Sequence, residues 1–496
     1  MNLLHRIFDH GLRGTAVALA CVAVTAQAEV TAGHYDMAAA RDTSTLETTV
    51  VQDWKPWGKD TGIRQKLVEI TVCEWWPGQK VRLPVTLLAP ATGGPCKNLI
   101  VDNAGVDLKP ASPAGAKLRL LKENGVGIAL IGMTTIDAMP PVGKLDVGMK
   151  EHFLKTKDAR YTPAWIWGMS DIRALTAAAA EKDVFQPVKV LATGGSKRGV
   201  ATAAAGIADD RFTAIMPVVA PIIDPPGGPY VEGTRPAEIA QANEQFLAEV
   251  GAGKLPDVPV AAVEPLVIRE KIRAAERITV AEARGAGWSD GDIKAASTLA
   301  WEVCRTTNYL PQLKKRGVEI FYNEGADDNV GPGLLELGRR FPDLPIYVVP
   351  GGQHGGAKTA GFVKQVGSLP EVDENLYALA QHHFFHARPT VAAPKVTQHW
   401  DAAAHRLTVS VTFPDKAEPQ KNELWWAVNR HPDYTLAMEY DPWESCAMKQ
   451  TGPATYGAEA ILQEKPKTLD FVTVHAHTAN GSTLTLSSPL IRVDIQ

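Results

Sequence analysis

The chain has 496 residues, 45% hydrophobic and 21% charged, with 51 Lys+Arg against 55 Asp+Glu for a formal net charge of −4. That is globular composition, and it excludes disordered and collagen-like chains. It lacks the basic excess that a phosphate backbone selects, so nucleic acid is not an expected partner.

The first segment reads as an export signal. His5, Arg6 and Arg13 precede the uncharged run from Gly14 to Ala26, and Ala26-Gln27-Ala28 supplies small residues before Glu29. Cleavage near Ala28 would release the remainder to the periplasm or beyond. The apolar run falls short of the roughly 20 residues a bilayer demands, and nothing later is apolar for longer, so no membrane anchor is expected. Export permits disulfides. Of Cys73, Cys96, Cys304 and Cys446, the first two are expected to pair, because the Trp76-Pro77-Gly78-Gln79 turn folds their flanks together. No Cys-x-x-Cys spacing suggests zinc.

Residues 29–390 read as one α/β domain, because from about 65 to 388 short β-branched runs alternate with helical stretches, the grammar of a mostly parallel sheet wound with helices. Lys66–Val72 and Lys80–Leu88 read as a leading hairpin. Asn98–Asp102, Gly127–Ile131, Val188–Ala192, Ala214–Val219, Val318–Tyr322 and Pro345–Val349 follow, apolar on both faces as buried strands are. Met169–Glu181, Lys197–Ile207 and Leu334–Arg340 read as helices between them. From about 227 to 310 the alternation stops. Periodicity in Pro236–Val250, Val263–Glu276 and Val280–Val303 predicts an inserted helical cap. From 391 to 496 the alternation of Arg406–Thr412 and Thr468–Val474, with turn signals such as Asn480-Gly481, predicts a β-sandwich module.

The chemistry concentrates in Thr193-Gly-Gly-Ser-Lys-Arg-Gly199, where an apolar strand passes through a tight turn into an Ala-rich helix. A serine there projects its hydroxyl beyond the sheet, while the helix N-terminus and its free N–H groups favour an oxyanion. Gly199 stands one residue later than the last glycine of Gly-x-Ser-x-Gly. Two later strands end in Gly325-Ala-Asp-Asp328 and Gly351-Gly-Gln-His354. The chain order Ser, Asp, His is that of α/β-hydrolases. A serine hydroxyl needs an imidazole to take its proton, and the imidazole needs a carboxylate to fix its tautomer. Ser196, His354 and Asp328 are therefore the expected triad; Asp328 is preferred over Asp327 as the one deeper in the turn. Backbone N–H groups at Lys197 and Ala104 are the expected oxyanion donors, and Arg198, Asn103 and Trp167 the expected substrate contacts. His382 and His386 share a helix face, but no HExxH accompanies them, and neither metal nor organic cofactor is expected. In the β-module, alternation places one of Trp425 and Trp426 outside, where it could meet a carbohydrate or protein partner.

These motifs resemble the PhoPQ-activated pathogenicity-related proteins. Gly194-Gly-Ser-Lys-Arg-Gly199 is similar to that family's Gly-Ala-Ser-Lys-Arg-Gly, and Trp167-Gly-Met-Ser-Asp-Ile-Arg173 to the helix before it. The Asp328 and His354 loops and Leu424-Trp-Trp-Ala427 also have counterparts, whereas Val200 stands where the family usually has Trp. The resemblance implies an exported α/β-hydrolase fold with Ser196, Asp328 and His354 as triad, and it names no substrate. Lys197 and Gly199 also resemble the serine motif of glucuronoyl esterases. The expected function is ester hydrolysis of a small-molecule or polymer substrate. Peptide-bond cleavage by the same residues, or an idle triad on a secreted binding or signalling protein, are the alternatives.

Overall fold

The computed structural model describes residues 34–133, 144–220, 222–223, 280–289, 291–292, 302–328, 333–354, 364–390, 392–430 and 443–495. The export signal and most of the expected cap, including Pro236–Val250 and Val263–Glu276, lie outside them. Within the third cap stretch, Val280–Gly285 is helical.

Among the described residues, ten strands form the main sheet: β1 (Thr49–Trp57), β2 (Asp60–Trp76), β3 (Gln79–Pro90), β4 (Cys96–Ala104), β5 (Gly127–Gly132), β6 (Phe185–Gly195), β7 (Ala214–Val218), β8 (Glu319–Ile320), β9 (Tyr322–Gly325) and β10 (Ile346–Val349). Their order is β1-β2-β3-β5-β4-β6-β7-β9-β10, with β8 beside β7. The pairs from β1 through β5 that involve β2 or β3 are antiparallel, and from β5 onward every pair is parallel. This is the α/β-hydrolase architecture that the sequence implied.

Burial on both faces explains the apolar runs. In β4, Leu99 and Val101 enter the core on one face while Ile100 enters the other, and in β6 Val190 and Ala192 oppose Leu191. Helices α1 (Gly115–Asn124), α2 (Lys144–Thr156), α3 (Pro163–Ala180), α4 (Lys197–Ala208), α5 (Leu334–Arg340) and α6 (Pro370–Phe385) surround the sheet. α3 begins six residues before the expected Met169, because Pro163 at its first position has its φ preset and needs no N–H partner. Trp165 and Trp167 therefore lie inside a helix whose residues 163–178 are all buried.

The expected Cys73–Cys96 disulfide does not form, and both are free thiols. Cys73 pairs with Val81 near the β2–β3 turn, whereas Cys96 opens β4, three strands away in the sheet and at the opposite end of the hairpin. A disulfide needs Cα atoms within about 7 Å, and three strand spacings of about 4.8 Å already exceed that.

β11 (Gly352–Gln353) and β12 (Lys364–Gln365) form a separate parallel pair, and the described C-terminal residues form two antiparallel sheets. One contains β13 (Lys395–Asp401), β14 (Arg406–Thr412), β17 (Lys449–Gly452) and β18 (Thr455–Ile461); the other contains β15 (Lys421–Val428), β16 (Glu444–Ala447), β19 (Leu469–Ala479), β20 (Ser482–Ser487) and β21 (Ile491–Arg492). Their inner faces interdigitate Val409, Val411, Leu424 and Phe471. Trp426 is buried and Trp425 half-buried, with its indole N–H on Glu423. The same apolar cluster continues into Tyr322, Val348 and Leu376 of the α/β unit. Across this seam Val348 N–H donates to Ser487 Oγ at 2.8 Å, and Asn375 Nδ2 to Thr485 O at 2.9 Å.

Candidate active site

Strand order places the site. β5 and β6 flank β4 on opposite sides, so the connections leaving β4 and β6 diverge and open a crevice at the strands' C-terminal edge. Ala104 ends β4, and Ser196 follows β6 as the N-cap of α4. Between them lies a cleft of about 640 Å³, lined among others by Ala104, Gly105, Ser196, Lys197, Arg198 and His354.

The turn at Ser196 is strained, with φ 61° and ψ −125°. Close packing explains two of its glycines, Gly194 and Gly199. A Cβ on Gly194 would stand 2.6 Å from Arg198 Cβ and 2.9 Å from Arg198 C, and one on Gly199 would stand 2.7 Å from Ala220 Cβ. Gly199, one position late in the motif, is therefore the residue that lets α4 approach the 218–220 segment. Ser196 N–H donates to Val218 O at 2.9 Å, and the next residue, Val219, is itself at φ 44°. A β-branched residue at positive φ is a genuine outlier, and such outliers cluster at functional sites.

Three distant loops meet here. Ser196 Oγ donates to His354 Nε2 at 2.7 Å, and His354 Nδ1 donates to Asp328 Oδ2 at 3.1 Å. The Asp328 side chain is fully buried, while that of His354 is 21% exposed toward the cleft. Asp327 turns away from the imidazole, and its carboxylate receives Trp443 Nε1 at 3.1 Å.

Two of the expected substrate contacts lie away from the cleft lining. Trp167 is buried in α3 and is not among the residues that line the cleft; Lys197, which does line it, holds its Nζ over the Trp167 ring at 5.8 Å from the ring centre. Asn103 points inward from β4, where its Nδ2 donates to Asp171 Oδ1 at 2.8 Å. Alternation along β4 decides this: Ala104 reaches the cleft and its neighbour does not. Arg198, by contrast, is exposed and lines the opening.

Burial raises the Asp171 carboxyl well above the usual carboxylate range despite the Asn103 bond, and the nearby Asp102 charge adds to this. Burial likewise raises Glu324, helped by the Asp328 charge, although Ala220 N–H donates to it at 2.9 Å. Lys117 and Asp102, which the sequence did not single out, line the cleft as an ion pair at 2.6 Å that raises the Lys117 pKa. Met133, Met216 and Leu376 supply apolar lining. Being core-like residues on a strand, just past one and on a helix, they carried no motif.

Among the described residues, no group of three or more His, Cys, Asp and Glu side chains is arranged to hold a metal ion. The His382 and His386 rings contact edge to face, but His382 Nδ1 donates to Arg388 O at 2.8 Å and Lys189 Nζ reaches His386 Nε2 at 3.1 Å. No described helix is long and apolar enough to cross a membrane.

The α3–β6–α4 segment that carries the serine turn is also where known families can be compared. Residues 151–226 match the PhoPQ-activated pathogenicity-related protein family. This is the family whose motifs the sequence resembles, and the matched stretch holds Trp167, Gly194, Ser196 and Gly199. No curated protein matches the chain significantly. Solved structures similar to it include an acetyl xylan esterase from Paenibacillus sp. R4, at 14% identity over 70% of this chain and 92% of that one, with a TM-score of 0.42. A glucuronoyl esterase from Solibacter usitatus shares 16% identity over 63% and 83%, TM-score 0.36. Est1E from Butyrivibrio proteoclasticus shares 13% over 61% and 95%, TM-score 0.30.

Proposed function

We propose that this protein is an exported serine hydrolase that cleaves carboxylic esters. The observation that carries the reading is the unbroken hydrogen-bonded run Ser196–His354–Asp328 opening onto a cleft at the sheet's switch point. In the proposed reaction His354 takes the Ser196 proton as Oγ attacks the acyl carbon. Asp328 holds the imidazole tautomer and balances the imidazolium charge. The N–H groups at Lys197, in the first turn of α4, and at Ala104 receive the oxyanion. His354 then protonates the leaving alkoxide, and water repeats the sequence on the acyl-enzyme. Arg198 at the opening favours esters that carry an acidic group near the scissile bond. The half-buried Trp425 is a candidate contact for a carbohydrate or protein partner, and residues 1–28 are the proposed export signal.

The test uses a fluorophosphonate probe with the full chain. Labelling of the wild type and none of Ser196→Ala supports the reading. Absence of labelling from both, with the protein folded, refutes it and favours a binding or signalling role. Short-chain esters, uronate esters and aminoacyl anilides then separate esterase from peptidase; turnover confined to anilides would refute the ester assignment.

A further inference from the structure

The loop that carries Asp328 is held from the other side of the seam. Arg430, two residues past β15, has a side chain only 2% exposed. Its Nη1 donates to Ala326 O at 2.7 Å and pairs with Asp327 Oδ1 at 3.4 Å, while its Nε donates to Asp470 Oδ2 at 2.9 Å. Asp470 is fully buried and also receives Arg492 at 2.7 and 2.8 Å. Trp443 donates to Asp327 Oδ2 at 3.1 Å, and its ring packs on the histidine loop, where a Cβ on Gly351 would stand 3.3 Å from Trp443 Cδ1. The two loops are themselves joined by Ala326 N–H to Val349 O and Asp327 N–H to Gly352 O, both at 3.0 Å.

We infer that Arg430 and Trp443 are positioning residues: from the β-sandwich they fix Ala326 and Asp327, and thereby the direction in which Asp328 presents its carboxylate to His354. This rests on the Ser196–His354–Asp328 reading proposed above. A buried ion pair is weak evidence for stability, since an apolar replacement of similar volume often does as well. What it supplies is direction, because each donor fixes one acceptor in space. Arg430 grips the carbonyl two residues before Asp328, so its loss frees the acid to shift. A displacement of about 1 Å at a reacting group costs about 100-fold in rate. The β-sandwich thus takes part in catalysis without touching substrate.

Full-length Arg430→Met, Arg430→Lys and Trp443→Phe are compared with wild type by thermal unfolding, by fluorophosphonate titration of competent sites, and by kcat and KM per titrated site. Arg430→Met leaves Asp470 paired with Arg492 and Asp327 paired with Trp443, so neither acid is stranded. The expected result is a fall in kcat per titrated site of about 10- to 100-fold with KM little changed, partly restored in Arg430→Lys. A folded Arg430→Met with wild-type kcat per site overturns the inference and leaves the hydrolase reading intact. Should Arg430→Met not fold, Trp443→Phe decides: it keeps an aromatic ring at the seam but removes the N–H to Asp327 along with the pyrrole edge, and an unchanged kcat overturns the inference. A wild type that neither labels nor turns over esters removes both.

Discussion

Gly199→Ala separates packing that serves the fold from packing that serves the reaction. The added Cβ would stand 2.7 Å from Ala220 Cβ and 3.0 Å from both Gly194 O and Val218 O. Carbon atoms rest at about 3.5–4.0 Å, so the start of α4 has to withdraw by most of an ångström. Overpacking of this kind costs about 1–3 kcal/mol, and alanine returns about 1 kcal/mol over glycine in a helix. The net loss is about 0–2 kcal/mol, small for a chain of this size. The reaction has no such compensation. Ser196 caps the displaced helix and is tied to Val218 O at 2.9 Å, so nucleophile and oxyanion donors move together. A fall of about 100-fold in kcat/KM on a chromogenic short-chain ester is expected, with the unfolding temperature lowered by only a few degrees. Gly195→Ala is the internal control: its Cβ meets nothing nearer than Val218 O at 3.9 Å, and activity should be retained. Equal activity of the two variants would refute the steric argument.

Asp328→Asn should lower kcat by about 10⁴-fold through the wrong imidazole tautomer, whereas Asp327→Asn, which keeps an acceptor for Trp443, should cost less than about 10-fold; equal losses in steady-state assays would contradict the assignment of roles. Asp171→Asn should stabilise the protein at neutral pH. Its folded-state pKa lies above the unfolded one, so stability declines as pH rises from about 4 toward the folded value, by about 1.4 kcal/mol per unit, and an amide has no such slope. Urea titrations of both proteins at pH 5 and 7 check this, and a gap that fails to widen with pH would count against it. His475 and His477 have the opposite sign. Burial holds them down to about 3 and about 4, so their neutral forms support the fold above pH 6.5 and this support is lost as pH falls toward those values. Between pH 7 and 5 each should cost about 2 kcal/mol of unfolding free energy; His475→Gln and His477→Gln should flatten the slope in denaturant titrations.

The sheet was legible because its strands are apolar on both faces and end in loops with distinctive chemistry. Ser196, His354 and Asp328 were named for the same reason: each follows a strand, and the loops past the C-terminal ends of neighbouring parallel strands converge. What escaped was anything set by packing between distant segments. β1, with Val50 and Val51 exposed at the sheet's edge, lacks the buried pattern by which strands were sought. Trp167 and Asn103 looked like cleft residues from their neighbours in sequence, yet Trp167 lies in a helix buried on every face and strand alternation turns Asn103 inward. Cys73 and Cys96 flank a hairpin turn but belong to strands with two others between them. Nothing in the local sequence around Arg430 or Trp443 announced that they reach the acid loop, because that contact exists only once the seam has closed.

The apolar cluster that runs unbroken from Tyr322 and Val348 into Leu424 and Phe471 makes the C-terminal sandwich a poor candidate for a transplantable cassette. Cutting near residue 390 would expose greasy surface on both pieces at once, so neither fragment should stay dispersed alone. Recombination could then keep the two halves only as an inherited pair, each drifting in step with the other along their common wall.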